Sequence, residues 1–260
     1  MITSTKHRHY MPLLVALFFL GNFNVAYASG GDSTDGDWEF FLAPLFLWAQ
    51  GIEGTSGIGP ATAPLDITFK DALSNLEAAF TVHFEMKRDK LTLFTEYQYI
   101  NMAPEAEAPN GVLLDVGFKD TIGELGVRYW LFATEKTNWE ILGGARYTEQ
   151  KLDVSVQDGP HLLDVDADWW VGFLGGLMSA KLSENWTFVG RVDYGLGSAG
   201  ETNRILNLSA LFDYRFRRWG SAFGGYRYMS YDYDNGKLGF NRFVYDATQQ
   251  GPLIGIAFHW

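Results

Sequence analysis

The chain has 260 residues, with 31 acidic and 20 basic side chains, a net charge of −11 and no cysteine. So acidic a chain is a poor nucleic-acid binder, which needs a basic surface. Without disulfides an exported chain must draw stability from elsewhere, and a closed hydrogen-bonded barrel can supply it.

The first 28 residues read as a secretory signal peptide. Lys6, His7, Arg8 and His9 form a basic start, residues 11–20 an apolar run, and Ala26-Tyr27-Ala28 a small-residue cleavage site before Ser29. A run of about ten apolar residues is too short for a spanning helix, which needs roughly 20. The expected mature domain is 29–260, and losing Lys6 and Arg8 leaves 18 basic residues against 31 acidic ones, a net charge of −13. No later stretch is long and apolar enough for a membrane helix, yet the chain holds 20 Phe, 13 Tyr, 9 Trp and 29 Gly, a composition that leans toward a transmembrane β-barrel.

The rest of the chain alternates with period two, the signature of strands. Leu76, Ala78, Phe80, Val82, Phe84 and Met86 make an apolar face, opposed by Glu77, Ala79, Thr81, His83, Glu85 and Lys87. Further on, Glu124 and Arg128 oppose Leu125, Val127, Tyr129 and Leu131; Asp213 and Arg215 oppose Phe212, Tyr214 and Phe216. Ten segments qualify, near 37–50, 75–88, 90–102, 117–133, 138–153, 166–182, 185–198, 204–217, 219–233 and 246–260. Each exceeds the roughly 9–11 residues a tilted strand needs to cross hydrocarbon. Short connectors alternate with long ones at 51–74, 103–116, 154–165 and 234–245; only 198–203 is short on the long side. This is the layout of an antiparallel all-β transmembrane barrel with periplasmic ends. Ten strands are expected, eight being the alternative because the first and 166–182 segments alternate poorly. Residues 51–66, rich in Gly, Thr, Ala and Pro, are expected to be mobile. Phe69, Leu73 and Leu76 suggest a short helix capped by Thr68 or Asp71, either a lid or a strand approach.

Trp260 ends an alternating strand that includes Gly251-Pro252-Leu253-Ile254-Gly255, after a hairpin carrying Gly224-Gly225-Tyr226-Arg227-Tyr228 and Tyr231-Asp232-Tyr233-Asp234. In these residues the chain resembles the outer-membrane β-barrel proteins of Gram-negative bacteria, in particular small OmpA-like and porin-like barrels. Asp37-Trp38-Glu39-Phe40 and Gly57-Ile58-Gly59-Pro60 before Leu65-Asp66-Ile67 resemble a further subgroup of that class. The resemblance implies residence in the outer membrane among lipids and lipopolysaccharide. It also implies recognition of the last strand, ending in Trp260, by the barrel-assembly machinery. Relatives that bind peptidoglycan do so with an additional C-terminal region, so that activity is not expected here.

With one face in lipid, the other fills the lumen. The expected polar network comprises Glu77, His83, Glu85, Glu96, Glu124, Arg128, Glu140, Arg146, Arg191, Asp193, Asp213, Arg215 and Arg227. Charges enclosed in so narrow a barrel must pair, each guanidinium donating to a carboxylate. Trp38, Trp48, Tyr97, Tyr129, Trp186, Trp219 and Trp260 fall near strand ends and are expected in the interfacial girdles. A serine hydrolase site would need an activating histidine. Of His83, His161 and His259, only His83 has a plausible orienter, Glu85, and no serine at matching height, Ser74 and Ser209 being distant candidates; His83 reads as lumen filler. Asp232, Asp234, Asn235 and Gly236 imitate part of a calcium loop without its distal Glu and read as a turn. Asp164, Asp166 and Asp168 read as a solvated edge. No cofactor, metal or catalytic residue is expected. The expected function is non-enzymatic, structural or a narrow porin-like channel. The alternatives are an outer-membrane enzyme acting on lipid or peptide, and a receptor or adhesin acting through the long loops.

Overall fold

A computed structural model describes residues 36–103, 105–107, 111–197 and 202–260. The signal-peptide segment and most of the 198–203 connector lie outside the described residues. In chain order the elements are β1 (Glu39–Trp48), β2 (Gly51–Ile58), β3 (Ala61–Ile67), α1 (Phe69–Ser74), β4 (Leu76–Arg88), β5 (Leu91–Met102), β6 (Glu105–Glu107), β7 (Leu113–Ala133), β8 (Thr137–Val156), β9 (His161–Lys181), β10 (Trp186–Leu196), β11 (Thr202–Arg217), β12 (Gly220–Asp234) and β13 (Phe243–His259). Every neighbouring pair is antiparallel, and β1 pairs with both β4 and β13. The sheet therefore closes on itself through ten wall strands, β1, β4, β5 and β7 to β13, which settles the count at ten rather than eight. Closure is what lipid demands, because an open edge would leave backbone N–H and C=O groups unpaired in hydrocarbon.

Period-two patterning sets which way each strand faces. Leu125, Val127, Ile141, Leu174, Val192, Leu208, Ile254 and Ile256 are exposed on the outside, whereas Glu124, Arg146, Asp193 and Arg227 are buried inside. That is the inverse of a water-soluble sheet. β7, β8 and β9 run to 21, 20 and 21 residues, about twice what the membrane requires, so their upper halves continue beyond it. There Ile100, Met102, Ile122, Trp169, Ile205, Met229, Tyr231, Tyr233 and Tyr245 pack into one buried cluster, beside the buried polar side chains of Gln50, Gln98, Asp120, Gln150 and Gln249. Trp169 stacks on Tyr233 with ring centroids 4.2 Å apart.

The first loop is ordered, contrary to the mobility its composition suggests. β2 and β3 form a hairpin in which Ile58 opposes Ala61. The turn is Gly59-Pro60, with Gly59 in the left-handed region at φ +60° that glycine adopts without strain. β2 continues the line of β1 along β13, so Gly51–Ile58 pairs with 250–243 directly above the β1–β13 ladder. α1 follows with a capping box between Thr68 and Asp71. Its buried contact is Ala72; Phe69 and Leu73, the stripe read from the sequence, are exposed.

One strand breaks its own alternation. The register of β1 shifts between Leu42 and Leu45, where Pro44 lacks a backbone N–H. Even-numbered residues face out before the bulge, as Phe40 does against Phe84 and Trp260, and face in after it. Trp48 consequently points into the barrel, 1% exposed, and is not a girdle residue. A one-residue slip reverses every later side chain. Above Ala43, β1 leaves the β4 ladder, and the Thr81 hydroxyl takes the place of the ladder by accepting from Phe46 N (2.9 Å) and donating to Phe46 O.

The closing β1–β13 register is open to a direct check in a chain without native cysteine. Leu47 and Ile254 are register partners. Oxidation of the Leu47→Cys/Ile254→Cys pair is expected to give a cross-linked band on a denaturing gel and to stabilise the barrel against urea by about 2–4 kcal/mol. A pairing shifted by one residue would cross-link Leu47→Cys poorly with position 254 and leave the urea midpoint unmoved.

Candidate functional site

Half-way up the lumen the charged side chains form one connected layer. His83, Glu96, Glu124 and Arg146 are direct register neighbours on β4, β5, β7 and β8. Glu124 sits at the centre: its carboxylate accepts from Arg146 Nε (2.7 Å), Arg191 Nη2 (2.9 Å) and Arg227 Nη2 (3.1 Å). Asp193 accepts from Arg146 (2.8 Å), Arg191 (2.7 Å) and Asn207 Nδ2 (2.7 Å). Glu96 takes Arg227 Nη1 at 2.6 Å. The chain of contacts goes on through His83, whose Nδ1 is 3.0 Å from Glu96 and whose Nε2 is 2.7 Å from Glu85. Arg128 then grips Glu85 with two nitrogens (2.7 and 2.5 Å) and Glu140 with its Nε (2.8 Å). The side chains of Glu124, Arg146 and Asp193 have no solvent exposure.

Aromatic shelves hold the guanidinium planes. Arg146 and Arg191 lie over Phe173 at 4.9 and 5.5 Å, Arg128 over Phe94 at 5.8 Å, and Arg227 over Trp48 at 4.9 Å. The rings lie flat against the wall because glycine faces them. A Cβ on Gly126 would stand 2.5 Å from Phe94 Cζ, and one on Gly144 2.8 Å from Phe173 Cζ. Neither rings nor glycines stand out in a search for chemical groups; the signal was an inward-facing Phe one strand away from an inward-facing Gly.

Below the layer a cavity of about 330 Å³ opens among Phe41, Glu85, Arg128, Ser209, Asp213 and Arg215. Its floor contains a pair the sequence reading passed over: Ser221 Oγ is 2.9 Å from His259 Nε2, and Arg215 Nη2 is 3.2 Å from His259 Nδ1. A guanidinium only donates, so Nδ1 accepts and the ring proton sits on Nε2, pointing at the serine. A general base needs the opposite polarity.

The structure brings twelve of the expected polar residues together in two levels, the layer and this cavity floor: His83, Glu85, Glu96, Glu124, Arg128, Glu140, Arg146, Arg191, Asp193 and Arg227 above, and Asp213 with Arg215 contributing below. Glu77 is excluded. A bulge between Leu76 and Ala78 turns it out, where it is exposed and accepts from Asn101 (2.9 Å). A second polar group was not singled out: Asp120, Gln50, Gln150 and Gln249, buried above the layer. Asp120 shares the parity of Glu124 and Arg128, which was the signal available.

On the outer surface Trp38, Tyr129, Trp186, Trp219 and Trp260 lie at the periplasmic strand ends, between 42% and 51% exposed. Tyr97 stands higher, in one register row with Tyr147 and Trp170. In the loops, Asp234 accepts from Gly236 N (2.9 Å) and Arg242 Nη2 (2.6 Å), and Asn235 Oδ1 from Lys237 N and Phe243 N (both 3.1 Å), so these oxygens build a turn. Asp166 is matched by Lys151 at 3.0 Å, and His161 lies 3.3 Å from Asp153.

A closed antiparallel wall with an apolar exterior, aromatic rims and an ionic interior defines an outer-membrane β-barrel protein of the Gram-negative type. No family model matches the chain, and no curated protein matches it. Among solved structures it is similar to the outer membrane protease OmpT from Escherichia coli (7% identity, 91% of this chain and 99% of that one, TM-score 0.48). It is also similar to Ail, the attachment invasion locus protein of Yersinia pestis (10%, 87% and 100%, 0.37), and to the outer membrane protein OprG from Pseudomonas aeruginosa (10%, 87% and 97%, 0.36). These likenesses are of barrel to barrel and bring no activity with them.

Removing one partner from a buried ion pair strands the other, which costs about 3–5 kcal/mol, whereas a solvent-exposed pair contributes under about 1 kcal/mol. Glu124→Gln, which leaves three guanidiniums short of their shared carboxylate, is therefore expected to lower the urea stability of the folded barrel by the larger amount. Lys87→Gln, at the rim pair with Glu39 (3.3 Å), is expected to produce only the smaller one. Tryptophan fluorescence during urea titration in detergent reads both; equal effects would refute the assignment of the layer as the structural centre.

Proposed function

We propose that the protein is a non-enzymatic, non-conducting outer-membrane barrel, a sealed stem that carries an extramembrane sheet on the outer side. The observation behind this reading is the sequence of layers along the lumen. An ion approaching from the periplasm meets a cross-linked Arg–Glu–Asp layer with no exposure at Glu124, Arg146 and Asp193. Above it comes a packed apolar core around Trp169 and Tyr231. Conduction would require breaking several charge-assisted bonds in a low-dielectric interior. The polarity of two histidines supports the non-enzymatic reading: His83 has both nitrogens on carboxylates, and His259 points its proton at Ser221. In this reading lipid chains and lipopolysaccharide surround the wall, and the β13 end at Trp260 is the part presented to the assembly machinery.

A second reading, a surface receptor or adhesin, is favoured by one feature. Leu238 and Phe240 stand 89% and 85% exposed in the loop between β12 and β13. Apolar side chains that far from the membrane wall suit a contact with another surface.

Planar-bilayer recording decides the main reading. The wild-type protein is expected to give no unitary steps, while Glu124→Ala/Arg227→Ala, which removes the centre of the layer, is expected to leak. Steady conductance from the wild type would overturn the proposal. Binding to a cell surface that is lost in Leu238→Ser/Phe240→Ser, with the barrel still folded, would establish the second reading.

A further inference from the structure

From the periplasmic end of β11 inward, the lumen side chains are Arg215, Asp213, Leu211, Ser209 and Asn207, and all of them border the cavity beneath the ionic layer. Arg215 and Asp213 carry opposite charges on one face of one strand. Among the described residues neither of them enters an ion pair. The other lumen guanidiniums, of Arg128, Arg146, Arg191 and Arg227, each hold a carboxylate. On β10 the same spacing does close, with Arg191 Nε 2.7 Å from Asp193 Oδ2. On β11 the guanidinium is drawn aside instead. It donates to the backbone oxygen of Arg218 (3.3 Å) and to His259 Nδ1 (3.2 Å), neutral acceptors that engage two of its five N–H donors.

Deeper in, the cavity wall turns apolar. Leu211 pairs with Val189 and Asp213 with Phe223 across the sheet, and Leu253 and Phe46 complete a belt between this charged pair and the layer. The carboxylates overhead are already taken: Glu85 and Glu140 by Arg128, and Glu96 by Arg227 and His83. The enclosed volume, about 330 Å³, falls at the lower end of the range for small-molecule sites.

We propose that the periplasmic half of the lumen is a dead-end pocket for a single zwitterionic amino acid with an apolar side chain. Its carboxylate lies in the guanidinium fork of Arg215, its ammonium on Asp213, and its side chain in the belt. Charge selects this class of ligand. A simple carboxylate leaves Asp213 uncompensated and a simple amine leaves Arg215 so, whereas one group of each sign satisfies both. The size of the cavity selects a single residue over a peptide. Occupancy is read without any current, so the pocket stands or falls separately from the sealed-stem reading.

The test is isothermal titration of the full barrel, refolded in non-ionic detergent, with phenylalanine and three fragments of it. Phenylpropionate lacks the ammonium, phenylethylamine lacks the carboxylate and glycine lacks the apolar side chain. Phenylalanine is expected to saturate at one molecule per chain, with each fragment weaker by about tenfold or more. Arg215→Gln and Asp213→Asn are each expected to weaken phenylalanine by about ten- to a hundredfold, the worth of a hydrogen bond to a charged group. No saturable heat with phenylalanine, equal binding of phenylalanine and phenylpropionate, or unchanged affinity in both variants overturns the pocket. Should a variant fail to refold, the wild-type fragment series decides alone.

Discussion

A carboxylate shared by three guanidiniums, with no solvent exposure, is the constraint around which this barrel is built. Glu124 stays ionised inside a protein wall only because Arg146, Arg191 and Arg227 reach it from three other strands. Those arginines are held in turn by Asp193, which accepts from Arg146 and Arg191, and by Glu96, which accepts from Arg227. The layer comprises five carboxylates, on Glu85, Glu96, Glu124, Glu140 and Asp193, and four guanidiniums, on Arg128, Arg146, Arg191 and Arg227. His83 restores the balance. With a carboxylate oxygen at each ring nitrogen, the imidazolium is the form that donates to both, and the layer becomes neutral as a whole.

Neutrality of the layer separates two different interiors. Beneath it the lumen is a polar cavity; above it the strands have left the membrane and enclose an aromatic core of the kind found in soluble proteins. The layer is the floor of that core as well as the ceiling of the cavity. Its guanidiniums present their charged edges to carboxylates and their faces to Phe94, Phe173 and Trp48, so the same side chains serve both neighbours.

The strand count and the parity of the charged residues could be read from the sequence because the lipid face is uniformly apolar and the lower lumen is polar, which makes period two unmistakable. Legibility ended where that contrast ended. β9 alternates poorly because Trp169, Val171 and Phe173 face an apolar core on one side while Trp170 and Leu174 face outward on the other. Trp48 was assigned to the wrong side because Pro44 sits at a bulge whose existence depends on the partner strands. The β2–β3 hairpin was hidden by a composition typical of loops; its order comes from pairing with the upper half of β13, a contact nearly two hundred residues away in sequence. At the site, individual charges were visible but their partners were not. Nothing local links Glu96 to Arg227 or Glu124 to Arg191 until the wall curves round to bring them face to face.

The bulge at Pro44 has a mechanical meaning. β1 and β2 together follow β13 along most of its length, while β1 holds β4 only through Glu39–Ala43 against 87–83 and the Thr81 hydroxyl. β1 itself pairs about equally with β4 and β13, and the unevenness comes from β2, which extends the ladder along β13 and not along β4. Above Ala43 the wall between β1 and β4 is closed by the Thr81 hydroxyl rather than by a ladder, so a force on β1 and β2 passes mainly into β13.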